Sequence, residues 1–406
     1  MIDTTSYSPI KGDSTEYNTL LGWLILMVLG GLGAAWYMEH NGHWVTGMDN
    51  QVVWGTPHVF AVFLIVAASG ALNVASMASA FGKTEYKPLS RLSALLSLAL
   101  LAGGLAVLVL DLGRPDRLIV AMTTYNFKSI FAWNIYLYTG FFVVVGVYLW
   151  MMMDRPMMKF SKGAGTFAFV WRLILTTGTG SIFGFLVARQ AYDAAIMAPM
   201  FVIMSFAYGM AIYLLVLMAL CQWTARPLGD FLVGRLRNLL RLFVAATFYF
   251  VIVYHLTNLY GTENHGVQRF VLLDGGVFTA LFWVGQVVIG YLAPMALLYY
   301  PGTRDSRSNI VLAAILVIAG GLAQMYVTII GGQAYPLNMF PGYEVSSPFF
   351  DGAIASYAPS LPEVALGVGG IAIALAIVVV ALRVLPFAPT DLSDATMDPN
   401  SAAKAE

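Results

Sequence analysis

The chain is written in long apolar blocks separated by short polar ones. Runs of about 20 residues, the length that crosses a hydrocarbon layer of roughly 30 Å, lie near 18–38, 57–80, 90–112, 130–153, 166–189, 198–222, 239–260, 275–300, 309–331 and 361–385. The pattern predicts an all-α polytopic membrane protein of about ten transmembrane helices. An even number of crossings places both termini on one side, and the loop charges test that parity. Of the 21 Lys and Arg residues, only Arg114, Arg117, Lys128, Arg189 and Arg269 fall in odd-numbered loops. Positive charge collects in cytoplasmic loops, so both termini are expected in the cytoplasm. Trp150, Trp171 and Trp223 then sit at cytoplasmic helix ends, and Trp36, Trp54 and Trp133 at periplasmic ends, as interfacial anchors do.

Three regions follow: an N-terminal tail over 1–17, one integral membrane domain over 18–385, and a polar tail rich in small residues over 386–406, expected to be disordered. Helices two to five and six to nine are expected to form two four-helix bundles, flanked by the first and last helices. Gly180 and Gly184, and the cluster Gly30, Gly31 and Gly33, offer close helix contacts. The ninth loop, 332–360, is rich in Pro, Gly and aromatic residues, including Phe340, Pro341, Tyr343, Pro348, Phe349 and Phe350; that composition packs against a partner or caps the bundle.

Composition narrows the function. With 59% hydrophobic and 10% charged residues, the solvent for most of the chain is lipid. A net charge of zero gives neither a nucleic-acid footprint nor a polybasic lipid-binding tail. One cysteine, Cys221, cannot hold an iron–sulfur cluster, which usually takes four. No phosphate loop, metal-ligand cluster or nucleophile–base arrangement is present.

Ionisable groups inside spans cost about 2.5–3.5 kcal/mol on insertion scales, so the few present are candidates for function. Asp111 closes the third span in Asp111-Leu112-Gly113-Arg114-Pro115, with Arg114 near enough to pair with it. His58 opens the second span at the same expected depth, and an imidazole that titrates near neutrality suits proton-coupled quinol chemistry. His255, in the seventh span, is expected to be an interfacial histidine rather than a haem ligand. Polar groups gather on the same side: Tyr125, Asn126 and Ser129 before the fourth span, Trp133 and Asn134 within it, and Arg189, Gln190, Tyr192 and Asp193 after the fifth. Gln286 and Gln324 lie deeper, as interhelical glue or parts of a proton path.

The Asp111–Pro115 motif, with Trp54-Gly55 opening the second span, resembles the NrfD/polysulfide-reductase membrane-subunit family along nearly the whole sequence. The length resembles its ten-span branch, and Gly331-Gly332-Gln333-Ala334-Tyr335-Pro336 and Arg383-Val384-Leu385-Pro386-Phe387 are most similar to its sulfite-reductase-associated (Dsr) members. That resemblance implies a bacterial inner-membrane subunit with no haem or iron–sulfur cluster of its own. Its redox partner would be menaquinone or ubiquinone, bound near the periplasmic face beside an iron–sulfur, ferredoxin-like partner subunit. Asp111 and Arg114 match the motif; His58 matches a quinone-site histidine by helix position. The site expected from residues and resemblance together is His58 and Asp111 as proton-handling groups, with Arg114, Tyr125, Asn126, Ser129 and Trp133 beside the quinone. A secondary transporter and a non-catalytic membrane anchor share the span count and stay open.

Overall fold

A computed structural model describes residues 6–337 and 353–399. The aromatic and proline-rich residues Phe340 to Phe350 of the ninth loop lie outside the described residues. Among the described residues, ten long helices carry the fold: α1 (Thr15–Asn41), α2 (Thr56–Ser79), α3 (Thr84–Leu110), α4 (Ile130–Met153), α5 (Ser161–Gly184), α6 (Met197–Trp223), α7 (Asp230–Tyr260), α8 (Val277–Tyr299), α9 (Arg307–Ala334) and α10 (Leu361–Val384). All but α5 are apolar enough, as well as long enough, to cross a membrane. At 24 residues α5 has the length, but Lys162, Arg172 and its Thr- and Gly-rich stretch lower its hydropathy. Arg172 does not face lipid. Its guanidinium is buried, donates to the Ser69 carbonyl at 3.2 Å and lies over the rings of Phe169 and Phe206.

Two closed four-helix bundles result, as the sequence predicts. α2 packs on α3, α3 on α4, α4 on α5, and α5 returns to α2; α6, α7, α8 and α9 repeat the circuit. The bundles join where α2 meets α6. A β-carbon on Gly209 would stand 2.1 Å from the Gly70 carbonyl carbon, so only glycine permits that approach. Gly180 and Gly184 pack closely on Ala198 and Ala194, tying α5 to α6 as expected.

The first and last helices flank the first bundle together. α10 lies on α2 and α3, and α1 lies on α10. Small residues explain this stacking: Gly370 meets Val107 and Gly103 on one side of α10, and Gly369 meets Gly31 on the other. Of the glycine cluster in α1, only Gly31 makes such a contact. The outer side of α1 turns Trp23, Leu26, Leu29 and Trp36 outward.

The stretch from Pro386, expected to be disordered, is ordered as far as residue 399, and residues 400–406 lie outside the described residues. Phe387, Ala388, Leu392 and Met397 are buried, four apolar anchors that a composition average conceals. Tyr7–Ser8 pairs antiparallel with Ala388–Pro389, and Arg226 donates to the carbonyls of Ser8, Ala388 and Pro389. The Asp394 carboxylate accepts from the backbone of Asp230 and Phe231 at the start of α7. Both tails therefore meet on one face of the bundles.

Candidate functional site

The site lies on the opposite face. Extended backbone at Gly55 and Pro57 in the first turn start α2, so His58 falls in that turn. Asp111 caps the end of α3. Because α2 and α3 run antiparallel, the two meet at one level, with His58 Nδ1 2.9 Å from Asp111 Oδ2. The Asp111 side chain is fully buried. The approach is off the angle of an aligned hydrogen bond, and His58 Nδ1 and both Asp111 oxygens find no hydrogen-bond partner among the described residues. Buried polar groups are paired in all but a few cases, so this pair and its unmatched oxygen stand out.

One aromatic ring covers His58 and two more back it. Trp54 stacks on His58 with centroids 6.1 Å apart and meets Phe131 at 5.8 Å and Phe183 at 6.0 Å. The Trp54 backbone is fixed by Gln333: Oε1 accepts from the Val53 and Trp54 amides at 3.0 Å, and Nε2 donates to the Trp54 carbonyl at 2.9 Å. Arg189 ties this clamp to the first loop, donating to the carbonyls of Gln333 and Gln51. From α10, the buried Glu363 accepts from the Gly47 amide at 2.9 Å and the Tyr357 hydroxyl at 2.5 Å. Tyr357 in turn accepts from the Thr56 amide at 2.7 Å. Three segments remote in sequence thus hold the start of α2 and the loop before it in place.

Residues 44–336 match the family model described as polysulphide reductase, NrfD. The chain belongs to this family. The matched residues run from the first loop to the end of α9 and contain both bundles and the site. Among its relatives, the Hdr-like menaquinol oxidoreductase integral membrane subunit of Archaeoglobus fulgidus is 30% identical, over 94% of this chain and 96% of its own length. A selenate reductase subunit of Mesobacillus selenatarsenatis is 21% identical over 91% of this chain and 93% of its own. A polysulfide reductase polypeptide of Wolinella succinogenes is 24% identical, matching 70% of this chain and 96% of its own length.

Within this NrfD protein, the expected Arg114–Asp111 pair does not form. Gly113 has φ +61°, which turns the backbone away after Asp111, and Arg114 projects outward to grip Asp116 in a fork with both contacts at 3.0 Å. Those hydrogen bonds hold the Asp116 carboxyl below its ordinary range. Tyr125, Asn126, Ser129 and Trp133 are held within their own loop and the first turns of α4. Tyr125 packs on Phe127 and Tyr136, and Asn126 accepts from the Lys128 amide. The Ser129 carbonyl accepts from the Trp133 amide, while the Trp133 indole donates to the Phe127 carbonyl. None of the four has a hydrogen bond or ring contact with His58 or Asp111 among the described residues.

One position on, the helix turns inward. Trp133 is 48% exposed and Asn134 is 2% exposed. Asn134 Nδ2 donates to the Gly178 carbonyl at 3.0 Å, and its Oδ1 is left without a partner. Among the described residues, every buried side-chain polar atom without a partner belongs to His43, His58, Ser97, Asp111, Asn134 or Arg172, all in the first bundle or the loop that caps it. Phe131, Phe183 and Glu363 escaped the sequence reading, and Gln333 entered it only within the 331–336 segment. Glu363 had a signal, since Ser360-x-x-Glu363 ahead of an apolar run is a capping box, and that box is formed.

The second bundle holds its own polar groups. A cavity of about 40 Å³ is lined by Tyr254, His255, Gln268, Gln286, Gln324 and Thr328 among apolar side chains. His255 Nδ1 lies 2.7 Å from Gln268 Oε1. Gln324 Oε1 accepts from Tyr208 and Tyr291, joining α6, α8 and α9 as interhelical glue. His58 and His255 stand in different bundles. No group of three or more His, Cys, Asp or Glu arranged for a metal occurs among the described residues.

Proposed function

We propose that this protein is the quinone-handling membrane subunit of a multi-subunit electron-transfer complex, with the site in the first bundle. The observation that carries the reading is the buried His58–Asp111 pair with its unmatched oxygen, beside aromatic rings. A quinone head group is a flat ring with an oxygen at each end. Trp54, Phe131 and Phe183 suit its faces, His58 and Asp111 suit a hydroxyl whose proton must be taken or given, and Asn134 is a further polar group inside the bundle. Arg114, which grips Asp116, and the four residues around the start of α4 stand outside this set.

The substrate is menaquinone or ubiquinone; the name of the Archaeoglobus relative includes menaquinol, which favours the first. With one cysteine in this protein, the electrons pass to clusters of an iron–sulfur, ferredoxin-like partner, which docks on the face opposite the two tails. The loop charges support a periplasmic site and cytoplasmic tails in a bacterial inner membrane. The similarity of the 331–336 and 383–387 segments to the Dsr members favours a sulfur-metabolism complex. Titration of the purified subunit with a fluorescent quinone-site inhibitor tests the reading. Saturable binding that His58→Ala weakens is the expected result, and failure to bind at inhibitor concentrations that saturate quinone enzymes would overturn it.

A further inference from the structure

We propose that His43 and Glu39 form the proton path between the His58–Asp111 pair and the aqueous face. The inference rests on the quinone reading and adds a route to it. His43 opens the short turn 43–45 that follows α1. Its Nε2 is buried and has no hydrogen-bond partner, and Glu39 Oε1 stands 3.7 Å away, one helical turn earlier. The same nitrogen lies against Gly113: a β-carbon there would sit 3.4 Å from His43 Nε2. Gly113 belongs to the turn that begins at Asp111, and its φ of +61° sets that turn. An imidazole with an open nitrogen thus rests on the turn carrying the open carboxylate. Glu39, a third exposed, extends the series outward.

Of the surrounding charges, Arg114 feels the Glu39 carboxylate across the turn, and the others are matched elsewhere. Arg114 and Asp116 satisfy each other, and His40 stacks on Trp36 at 5.1 Å. Asp49 accepts from the Gln51 and Val52 amides, and Glu363 is occupied by Gly47, Ser360 and Tyr357. In quinol oxidation, each hydroxyl gives its electron to the iron–sulfur partner, a one-electron acceptor, and its proton to the His58–Asp111 pair. The proton then passes from the Asp111 carboxyl, through water, to His43 Nε2, and from there to Glu39 and bulk water. Imidazole takes one proton and returns one, so His43 is unchanged after each transfer.

The test is quinol turnover of the reconstituted complex carrying His43→Gln or Glu39→Gln, with Asp111→Asn run beside them. His43→Gln is expected to lower turnover at saturating quinol by about tenfold or more, to flatten its pH profile, and to recover with added imidazole. Affinity for the quinone-site inhibitor should not change; Glu39→Gln should give a smaller loss of the same kind. Turnover and pH profile like wild type in His43→Gln, where Asp111→Asn has lost activity, would overturn the path and leave the site standing. Inhibitor affinity falling in step with turnover, without imidazole rescue, would mark His43 as structural and also overturn it. Wild-type turnover in all three variants would remove the quinone site from the His58–Asp111 pair, and the path with it.

Discussion

Asp111→Asn separates proton handling from architecture. The amide matches the carboxylate in size, so the end of α3 and its Gly113 turn keep their packing, while His58 loses a charged neighbour at 2.9 Å. At an effective dielectric near 20, a unit pair at that distance interacts by about 6 kcal/mol, the upper limit of what the imidazolium loses. Loss of a general base independently slows a step by roughly 10²–10⁴-fold, or about 3–5.5 kcal/mol of barrier. The two estimates overlap, so quinol turnover is expected to fall by roughly 10²–10⁴-fold. Removing one partner of a buried pair costs stability, but the amide keeps the shape of the carboxylate and an oxygen that accepts from His58, so the complex is expected to assemble. The assay is quinol-dependent electron transfer in the reconstituted complex, with assembly checked on native gels. Wild-type turnover in an assembled Asp111→Asn complex would refute the reasoning; activity lost together with assembly would show that Asp111 acts in the fold.

Gln333→Ala leaves the Val53 and Trp54 amides without their acceptor, at about 1–3 kcal/mol each; a lower melting temperature in detergent and weaker inhibitor binding are expected, and an unchanged melting temperature would refute the clamp. Asn134→Leu and Trp133→Phe form a pair one residue apart: the first should weaken inhibitor binding by about three- to tenfold, the equivalent of one hydrogen bond, and the second should leave it unchanged. Equal effects from both would place the inhibitor outside the bundle. Reporter fusions to the C-terminal tail should give cytoplasmic signal, and periplasmic signal would reverse the assigned faces.

The helices were legible because lipid demands long apolar runs and closed backbone hydrogen bonding, which leaves little choice of element. Depth was legible for the same reason: His58 and Asp111, at the ends of antiparallel neighbours, had to meet. Direction around a helix was not. Trp133 and Asn134 look equivalent in sequence, yet a step of about 100° per residue puts one outside and the other in the bundle. Arg114 was misassigned because proximity in sequence does not show where a left-handed glycine sends the chain. Gln333 and Glu363 act across 279 and 316 positions, on Trp54 and Gly47. No local pattern carries such a pairing. The tail from Pro386 read as disordered because four spaced anchors are invisible to an average over small polar residues.

The placement of the quinone site in the first bundle is tested most directly by photolabelling. The complex is irradiated with an azido-quinone, digested, and the modified peptides identified by mass spectrometry. Label is predicted on the peptide holding Trp54 and His58 and on that holding Phe131 and Asn134, and it should be displaced by excess native quinone. Displaceable label concentrated instead on the peptides of His255, Gln286 and Thr328 would place the quinone in the second bundle and contradict the account.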